Sequence, residues 1–311
     1  MRRRPALLAA VLAALPGLAL AAPSHLCASW SAASEVGTLD PALVNEASGL
    51  EASTRFPGRL YHHNDSGDSL RFFVSDLTGG GLKAVNLEGP KPRDIEDMAL
   101  GPCGKGSCLY LADVGDNPGT RSEIAFVVVE EKAEFGETET PLRTVRARYP
   151  DGPHNAESIA MHPDGDLYLV TKPIDSQARN PGPAKVYRLS AAQLRATDGV
   201  QVMDLVGEID LPRLASDQTF WAWIPTGFDI SQDGKRAVLL TYGAVFEFGS
   251  DLAKGLPPKA GWEAGKTYSV ILSKRLTQQE AITLTPDGFL YDSESWGKTA
   301  APLMKVTCLD K

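Results

Sequence analysis

The sequence predicts an all-β fold, a β-propeller of four-stranded antiparallel blades, on three observations. A hairpin pattern recurs: residues 156–172 read AESIAMHPDGDLYLVTK, and the stretch from Gln279 reads QEAITLTPDGFLYDSES. Each copy carries a glutamate, an apolar run, a Pro-Asp-Gly turn and a second run through Leu-Tyr. Short apolar runs rich in Val, Tyr, Phe and Leu follow each hairpin, and no long stretch has a helical period. The last unit is one run short while the N-terminal end has one to spare, as expected when a ring of blades closes on itself.

The elements follow in chain order. Residues 1–22 read as a secretory signal peptide, with Arg2, Arg3 and Arg4 as a basic n-region, an apolar run from Ala6 to Leu20, and Ala19-Leu20-Ala21 as a small-residue cleavage site. A membrane span needs about 20 apolar residues, and Pro16-Gly17 interrupts this run, so a retained anchor is the weaker alternative. Residues 23–311 form a single propeller domain. LCASWSAASEVGTL, from Leu26, belongs to no unit and is the expected closing strand. The first unit is EASGLEASTRFPGRLYHHNDSG from Glu46, then LRFFVSD from Leu70 and KAVNLEG from Lys83. The second is IEDMALGPCGKGSCLYLADVGDN from Ile95, then EIAFVVVEE from Glu123 and RTVRARY from Arg143. The third adds KVYRLS from Lys185 and VQVMDLVGEIDL from Val200, with one helical turn in SAAQLRA from Ser190. The fourth is PTGFDISQDGKRAVLLTYG from Pro225, then AVFEFGS from Ala244 and YSVILSKRL from Tyr268; the fifth ends with MKVTCLD from Met304. Five blades are preferred; six is the alternative, with one degenerate unit between Ile174 and Ile224.

Composition bounds the function. The chain has 311 residues, 43% hydrophobic and 23% charged, which is ample for a soluble core. Loss of Arg2, Arg3 and Arg4 with the signal moves the formal charge from −8 to −11. Such an acidic protein lacks the basic footprint of a nucleic-acid binder, and no segment after the signal crosses a membrane. A secreted or periplasmic location and a monomer are expected. Four cysteines in an exported chain predict two disulfides. Cys103 and Cys108 bracket a tight turn, and Cys27 and Cys308 join the closing strand to its neighbour; free thiols are the alternative.

Register then collects distant acids. Aligned on the first apolar run, one slot holds Ser48, Glu96, Glu157, Thr226 and Glu280. In a propeller these positions face one axis. A second slot, at the end of the second strand, holds Asn64, Asp113, Thr171, Thr241 and Glu294, and the next position holds Asp65, Val114, Lys172, Tyr242 and Ser295. Like charges about 4 Å apart repel by about 4 kcal/mol at an effective dielectric near 20, so converging carboxylates need relief. A cation bound by oxygen ligands supplies it, with Ca2+ favoured over Mg2+ or Zn2+. Protonation, pairing with Lys172 or Arg93, and a wide watery channel are the alternatives. FWAWIP from Phe220 and SESWGK from Ser293 place tryptophans near unit boundaries, where packing between blades is favoured over stacking on a ligand. There is no G-x-S-x-G elbow and no phosphate loop.

The two quoted hairpins resemble the blade signature of the gluconolactonase and senescence-marker-type propellers, and of the wider superfamily of strictosidine-synthase-like proteins. They are also similar to secreted bacterial propellers without a settled activity. The first resemblance implies a divalent metal in the central channel, held by a glutamate at the start of an inner strand plus Asn and Asp from other blades, and hydrolysis of lactones or other esters. The matching positions are Glu157, or equally Glu280 or Glu96, with Asn64 and Asp113. Five units and three equivalent glutamates depart from that six-bladed pattern.

The expected function is a metal-dependent hydrolase of small esters, lactones or phosphoesters. Glu96, Glu157, Glu280, Asn64 and Asp113 are the expected ligands, and Glu157, Glu280 and Lys172 the catalytic groups. Arg93, His63, Tyr242 and Glu294 are the expected contacts to a small-molecule substrate. A non-catalytic binding propeller and a glycosidase with paired carboxylates are the alternatives.

Overall fold

A computed structural model describes residues 26–173, 182–249, 267–271, 274–295 and 299–310. The proposed signal peptide lies outside these residues, as does Trp296. The chain is a five-bladed β-propeller. Blade 1 comprises β2 (Ala47–Ala52), β3 (Arg59–Asn64), β4 (Arg71–Asp76) and β5 (Lys83–Leu87). Blade 2 comprises β6 (Ile95–Cys103), β7 (Gly106–Asp113), β8 (Ile124–Glu130) and β10 (Arg143–Arg148). Blade 3 is built from β11 (Ala156–Met161), β12 (Leu167–Thr171), β13 (Ala184–Leu189) and β15 (Asp204–Ile209). Blade 4 is built from β16 (Pro225–Ile230), β17 (Arg236–Thr241), β18 (Val245–Gly249) and β19 (Tyr268–Ile271).

Blade 5 takes β20 (Gln279–Thr285), β21 (Gly288–Ser293) and β22 (Pro302–Thr307) from the C-terminal end and β1 (Ser34–Thr38) from the N-terminal end. β1 runs antiparallel to β22, with Glu35 opposite Met304. The ring closes as the missing run predicts. Cys27 and Cys308 are disulfide-bonded with their Cα atoms 5.8 Å apart, and Cys103 and Cys108 at 5.4 Å. The two bridges fit an oxidising compartment. No helix among the described residues is long and apolar enough to cross a membrane.

Two short strands were not anticipated. β9 (Thr138–Glu139) runs parallel to β5, and β14 (Val200–Val202) runs parallel to β10, so each covers a blade's outer edge. The run from Val200 therefore divides: its first part joins blade 2, Met203 turns into the core, and the rest forms blade 3's outer strand. Between Ile174 and Ile224 the described residues form no extra blade; they hold β13, β14, β15 and three short helical turns. One of these, α1 (Ala191–Leu194), has Ser190 as N-cap with Gln193 completing a capping box.

The core is a set of layers between blades, because alternate residues of a central strand face opposite neighbours. In β7, Leu109 and Leu111 pack with Tyr61 and Phe72 of blade 1, whereas Tyr110 and Ala112 pack with Ile159 and Tyr187 of blade 3. The tyrosine of each Leu-Tyr pair, Tyr61, Tyr110, Tyr168 and Tyr291, is buried in such a layer. Blade 4 lacks the pair and fills its layer with Leu239, Phe246 and Phe248.

The ring-closing disulfide spans 281 residues and the hairpin disulfide spans 5. In the chain-entropy picture the first is worth up to about 5 kcal/mol and the second about 2 kcal/mol. C27S/C308S is therefore expected to lower the denaturant midpoint clearly more than C103S/C108S, measured by equilibrium unfolding without reductant.

Candidate functional site

The five inner strands, β2, β6, β11, β16 and β20, neighbour one another around the hub and run in one direction. Each pairs with its second strand through a β-bulge at the same place. The residues left out of register are Ser48, Glu96, Glu157, Thr226 and Glu280. A bulge re-aims the side chain of the extra residue. The repeated slot is thus a repeated backbone irregularity, at the end of the hub where the inner strands begin. Ser48 and Thr226 use it to tie blades together: Ser48 Oγ donates to Glu96 O at 2.8 Å, and Thr226 Oγ1 donates to Gln279 O at 3.0 Å.

The three glutamates converge, buried, at that mouth. Lys172 pairs with Glu157 and donates from Nζ to Tyr242 OH at 3.1 Å; Tyr242 OH donates to Glu280 Oε1 at 2.8 Å. A line Glu157–Lys172–Tyr242–Glu280 therefore crosses from blade 3 through blade 4 to blade 5. Burial pushes the Glu157 carboxyl up to about 7, against the pull of Lys172. Burial, then the charge of Glu157, raises Glu96 and Glu280 well above the usual carboxylate range. Burial alone would lower the Lys172 ammonium, but Glu157 and Glu280 outweigh it and raise it.

On the side of blades 1 and 2, Asp65, Asp94 and Glu96 bring carboxylate oxygens within 4.8 Å of one another. Asp94 Oδ1 is buried without a hydrogen-bond partner. The Asp94 and Glu96 carboxyls touch, and burial followed by the Asp65 charge raises the Asp94 pKa. Gly115 makes the contact sterically possible. A Cβ there would stand 2.2 Å from Glu96 Oε1 and 2.3 Å from Asp94 Oδ2.

Asn64 and Asp113 stand beside this group with their polar atoms already engaged. Asn64 Nδ2 donates to Leu43 O and Asp68 Oδ2, and its Oδ1 accepts from Glu46 N. Asp113 Oδ1 accepts from Arg121 Nη1 and from Asp94 N, and its Oδ2 accepts from Arg93 N. Both shape the loops that carry Asp65 and Asp94. Arg93 is exposed at the rim. His63 does not face the mouth: it is 1% exposed, its Nδ1 meets Asn64 O, and its ring lies over Gly49. The second slot is corrected in blade 5. Register puts Ser293 opposite Gln279, as Asn64 is opposite Ala47, and moves Glu294 one position on. Glu294 thereby joins Asp65, Lys172 and Tyr242 on the rim, where burial and then Asp65 raise its pKa. The sequence placed Asp65 near the mouth but not beside Glu96, and did not single out Asp94; the signal available was the glycine after Asp113-Val114.

Two other constellations are structural. Deeper in the hub than the bulge residues, Glu51 Oε2, Asp97 Oδ2 and Asp229 Oδ2 accept from Leu100 N, Ile159 N and Leu284 N, each on the next blade. Burial pushes Asp229 up to about 7. A cavity of about 350 Å3 opens beyond them, lined by Leu100, Met161, His162 and Leu284 among others. Its acids are occupied in stapling blades, which is why the mouth, where an acid oxygen lacks a partner, is the candidate site. Ser75, His62 and Asp292 form a buried line between blades 1 and 5, with Ser75 Oγ 2.8 Å from His62 Nε2 and His62 Nδ1 3.8 Å from Asp292 Oδ2. Ser75 Oγ donates to Asp76 O, so it accepts from His62 and has no proton for it to take. His62 Nδ1 and both Asp292 oxygens are buried without a hydrogen-bond partner among the described residues, so the line is a charge contact across the closing seam and not a hydrogen-bonded nucleophile and base.

No family profile and no curated protein sequence matches the chain. A chain in a crystal structure of a nidogen/laminin complex aligns with 84% of both chains at 13% identity and a TM-score of 0.47.

The raised carboxyls have a consequence for stability. Glu157 and Asp229, at about 7 in the fold, hold protons that the unfolded chain releases near 4. Their contribution is complete below about pH 4 and is lost as pH rises through 7. With divalent ions chelated, the melting temperature is expected to be higher at pH 5 than at pH 8. Glu157→Gln is expected to flatten part of that slope, measured by calorimetry across pH 4–8.

Proposed function

We propose that this chain is an exported propeller whose acidic mouth binds a divalent cation and hydrolyses small esters, lactones or phosphoesters. The observation that carries the reading is the Asp94–Glu96 contact around Gly115. Two touching carboxyls with Asp65 beside them need either a shared proton or a cation. The donors are hard oxygens, which suit Ca2+ first, then Mg2+, and suit Zn2+ least. Asp65, Asp94 and Glu96 would hold the ion, with Glu157 adjacent. This set keeps the inner-strand glutamate of the gluconolactonase-like pattern but replaces the Asn64 and Asp113 that the resemblance implied. A bound divalent cation supplies Lewis acidity toward a carbonyl or phosphoryl oxygen.

The remaining roles belong to the chain itself. Glu157, at about 7, is poised to accept a proton near neutral pH. Lys172 is held between Glu157 and Tyr242, a fixed positive charge for an anionic group. Glu280 orients Tyr242. Export rests on residues 1–22 and on the two disulfides.

One observation favours a second reading, a binding propeller without chemistry. The recess beside Asp65 and Asp94 is only about 10 Å3, room for one water, and Glu157 and Glu280 are already partnered.

Elemental analysis of protein purified without chelator, calcium titration by calorimetry, and an ester, lactone and phosphoester panel separate the two. Asp94→Asn with Glu96→Gln is expected to abolish cation binding, and so is Gly115→Ala, whose added methyl displaces both carboxyls. Glu157→Gln is expected to keep the cation and lower kcat by about a hundredfold or more. Unchanged turnover in Glu157→Gln removes the hydrolase reading, and cation binding that survives Asp94→Asn/Glu96→Gln removes the metal.

A further inference from the structure

One aromatic surface beside the mouth stays exposed among the described residues. Residues Phe220–Trp223 form a four-residue 3-10 turn between blades 3 and 4. Its two tryptophans have opposite fates. Trp223 packs inward and donates from Nε1 to Ala215 O at 3.0 Å. Trp221 is 47% exposed and is the one aromatic among the exposed large apolar side chains of the described residues. A single exposed indole needs no explanation by itself; what marks this one is that it is held in a fixed place beside the mouth.

Trp221 is held in place. Phe220 lies edge-on to both indoles, 5.7 Å from Trp221 and 6.3 Å from Trp223. The turn presses on Gly243, where a Cβ would come within 2.7 Å of Ala222 N and 3.0 Å of the Trp221 carbonyl carbon. Trp221 then meets Tyr242 edge-on, with ring centroids 6.0 Å apart and planes at 81°. Tyr242 is the residue that links Lys172 to Glu280. The exposed indole thus stands one side chain outside the buried line of the mouth. Arg275, itself exposed, carries its guanidinium 6.0 Å from the centre of the Trp221 ring.

From this geometry we infer that Trp221 and Arg275 form a recognition subsite for a flat ring bearing an anionic group. The ring stacks on the indole, and Arg275 takes the anion, which its planar fork suits. This rests on the proposed hydrolase reading only for what happens next: an ester in such a ligand would extend past Tyr242 toward Lys172 and Glu157. Trp221 and Arg275 are specificity residues that touch the non-reacting part of the substrate.

The test is equilibrium binding of phenyl phosphate, methyl phosphate and benzyl alcohol by calorimetry, with turnover of 4-acetoxybenzoate, whose carboxylate and ester lie at opposite ends of the ring, measured alongside. Phenyl phosphate is expected to bind the wild type. Trp221→Ala is expected to weaken it about tenfold, whereas Trp221→Phe, which keeps a stacking face, retains most of the affinity. Arg275→Gln is expected to weaken phenyl phosphate and leave benzyl alcohol unchanged. Methyl phosphate is expected to be insensitive to Trp221→Ala. No binding of phenyl phosphate, or an equal loss for methyl and phenyl phosphate in Trp221→Ala, overturns the subsite. Binding through Trp221 without any turnover overturns the hydrolase reading and leaves the subsite standing. Turnover that is indifferent to Trp221 and Arg275 does the reverse.

Discussion

Five parallel inner strands around one axis impose the constraint on which the rest of the molecule depends. Each strand can bury its sides against neighbouring blades, but its starting residues must face the hub. A bulge at the same place in all five strands turns one side chain per blade toward that end. Where the slot carries a hydroxyl, it ties a blade to the next. Where it carries a glutamate, charge accumulates that water cannot fully solvate, because the hub buries it. The unusual chemistry of the mouth follows from packing geometry repeated five times.

The protein answers the resulting repulsion in two ways. On the side of blades 3 to 5, Lys172 and Tyr242 connect Glu157 to Glu280 and spread one positive charge over both. On the side of blades 1 and 2 no ion pair among the described residues reaches the Asp65–Asp94–Glu96 group, which feels Lys172 and Arg121 only at longer range, and two carboxyls meet over Gly115 instead. This asymmetry is what distinguishes a candidate site from a structural network. The hub beneath the mouth makes the contrast clear. There Glu51, Asp97 and Asp229 are equally buried, yet each accepts a backbone amide of the next blade. The deeper acids act as staples, and the Asp65–Asp94–Glu96 group at the mouth lacks enough donors.

The outer wall of the mouth extends the same logic to recognition. Gly243 lets the 3-10 turn lie close to blade 4, and that closeness fixes Trp221 edge-on against Tyr242. The turn divides its aromatic pair between stability, through Trp223, and an exposed face, through Trp221.

The fold was legible in the chain by itself, because strand alternation, Pro-Asp-Gly turns and the spare N-terminal run are local signals that survive without coordinates. The same holds for the pairing of Cys27 with Cys308 and for the equivalence of Glu96, Glu157 and Glu280, since both follow from counting positions within a repeat. Tertiary structure decided what local counting cannot reach. Bulges and loop lengths shift register by one, so Glu294 moved off the second slot and Ser293 took its place. Hydrogen bonding is settled across blades, so Asn64 and Asp113 became loop anchors while Asp65 and Asp94 came to stand beside Glu96. Side-chain direction near a seam depends on how closely neighbouring segments approach, which is why His63 turned inward and Trp221 outward. Strand patterns depend on neighbours in sequence; the partners of a buried charge depend on neighbours in space.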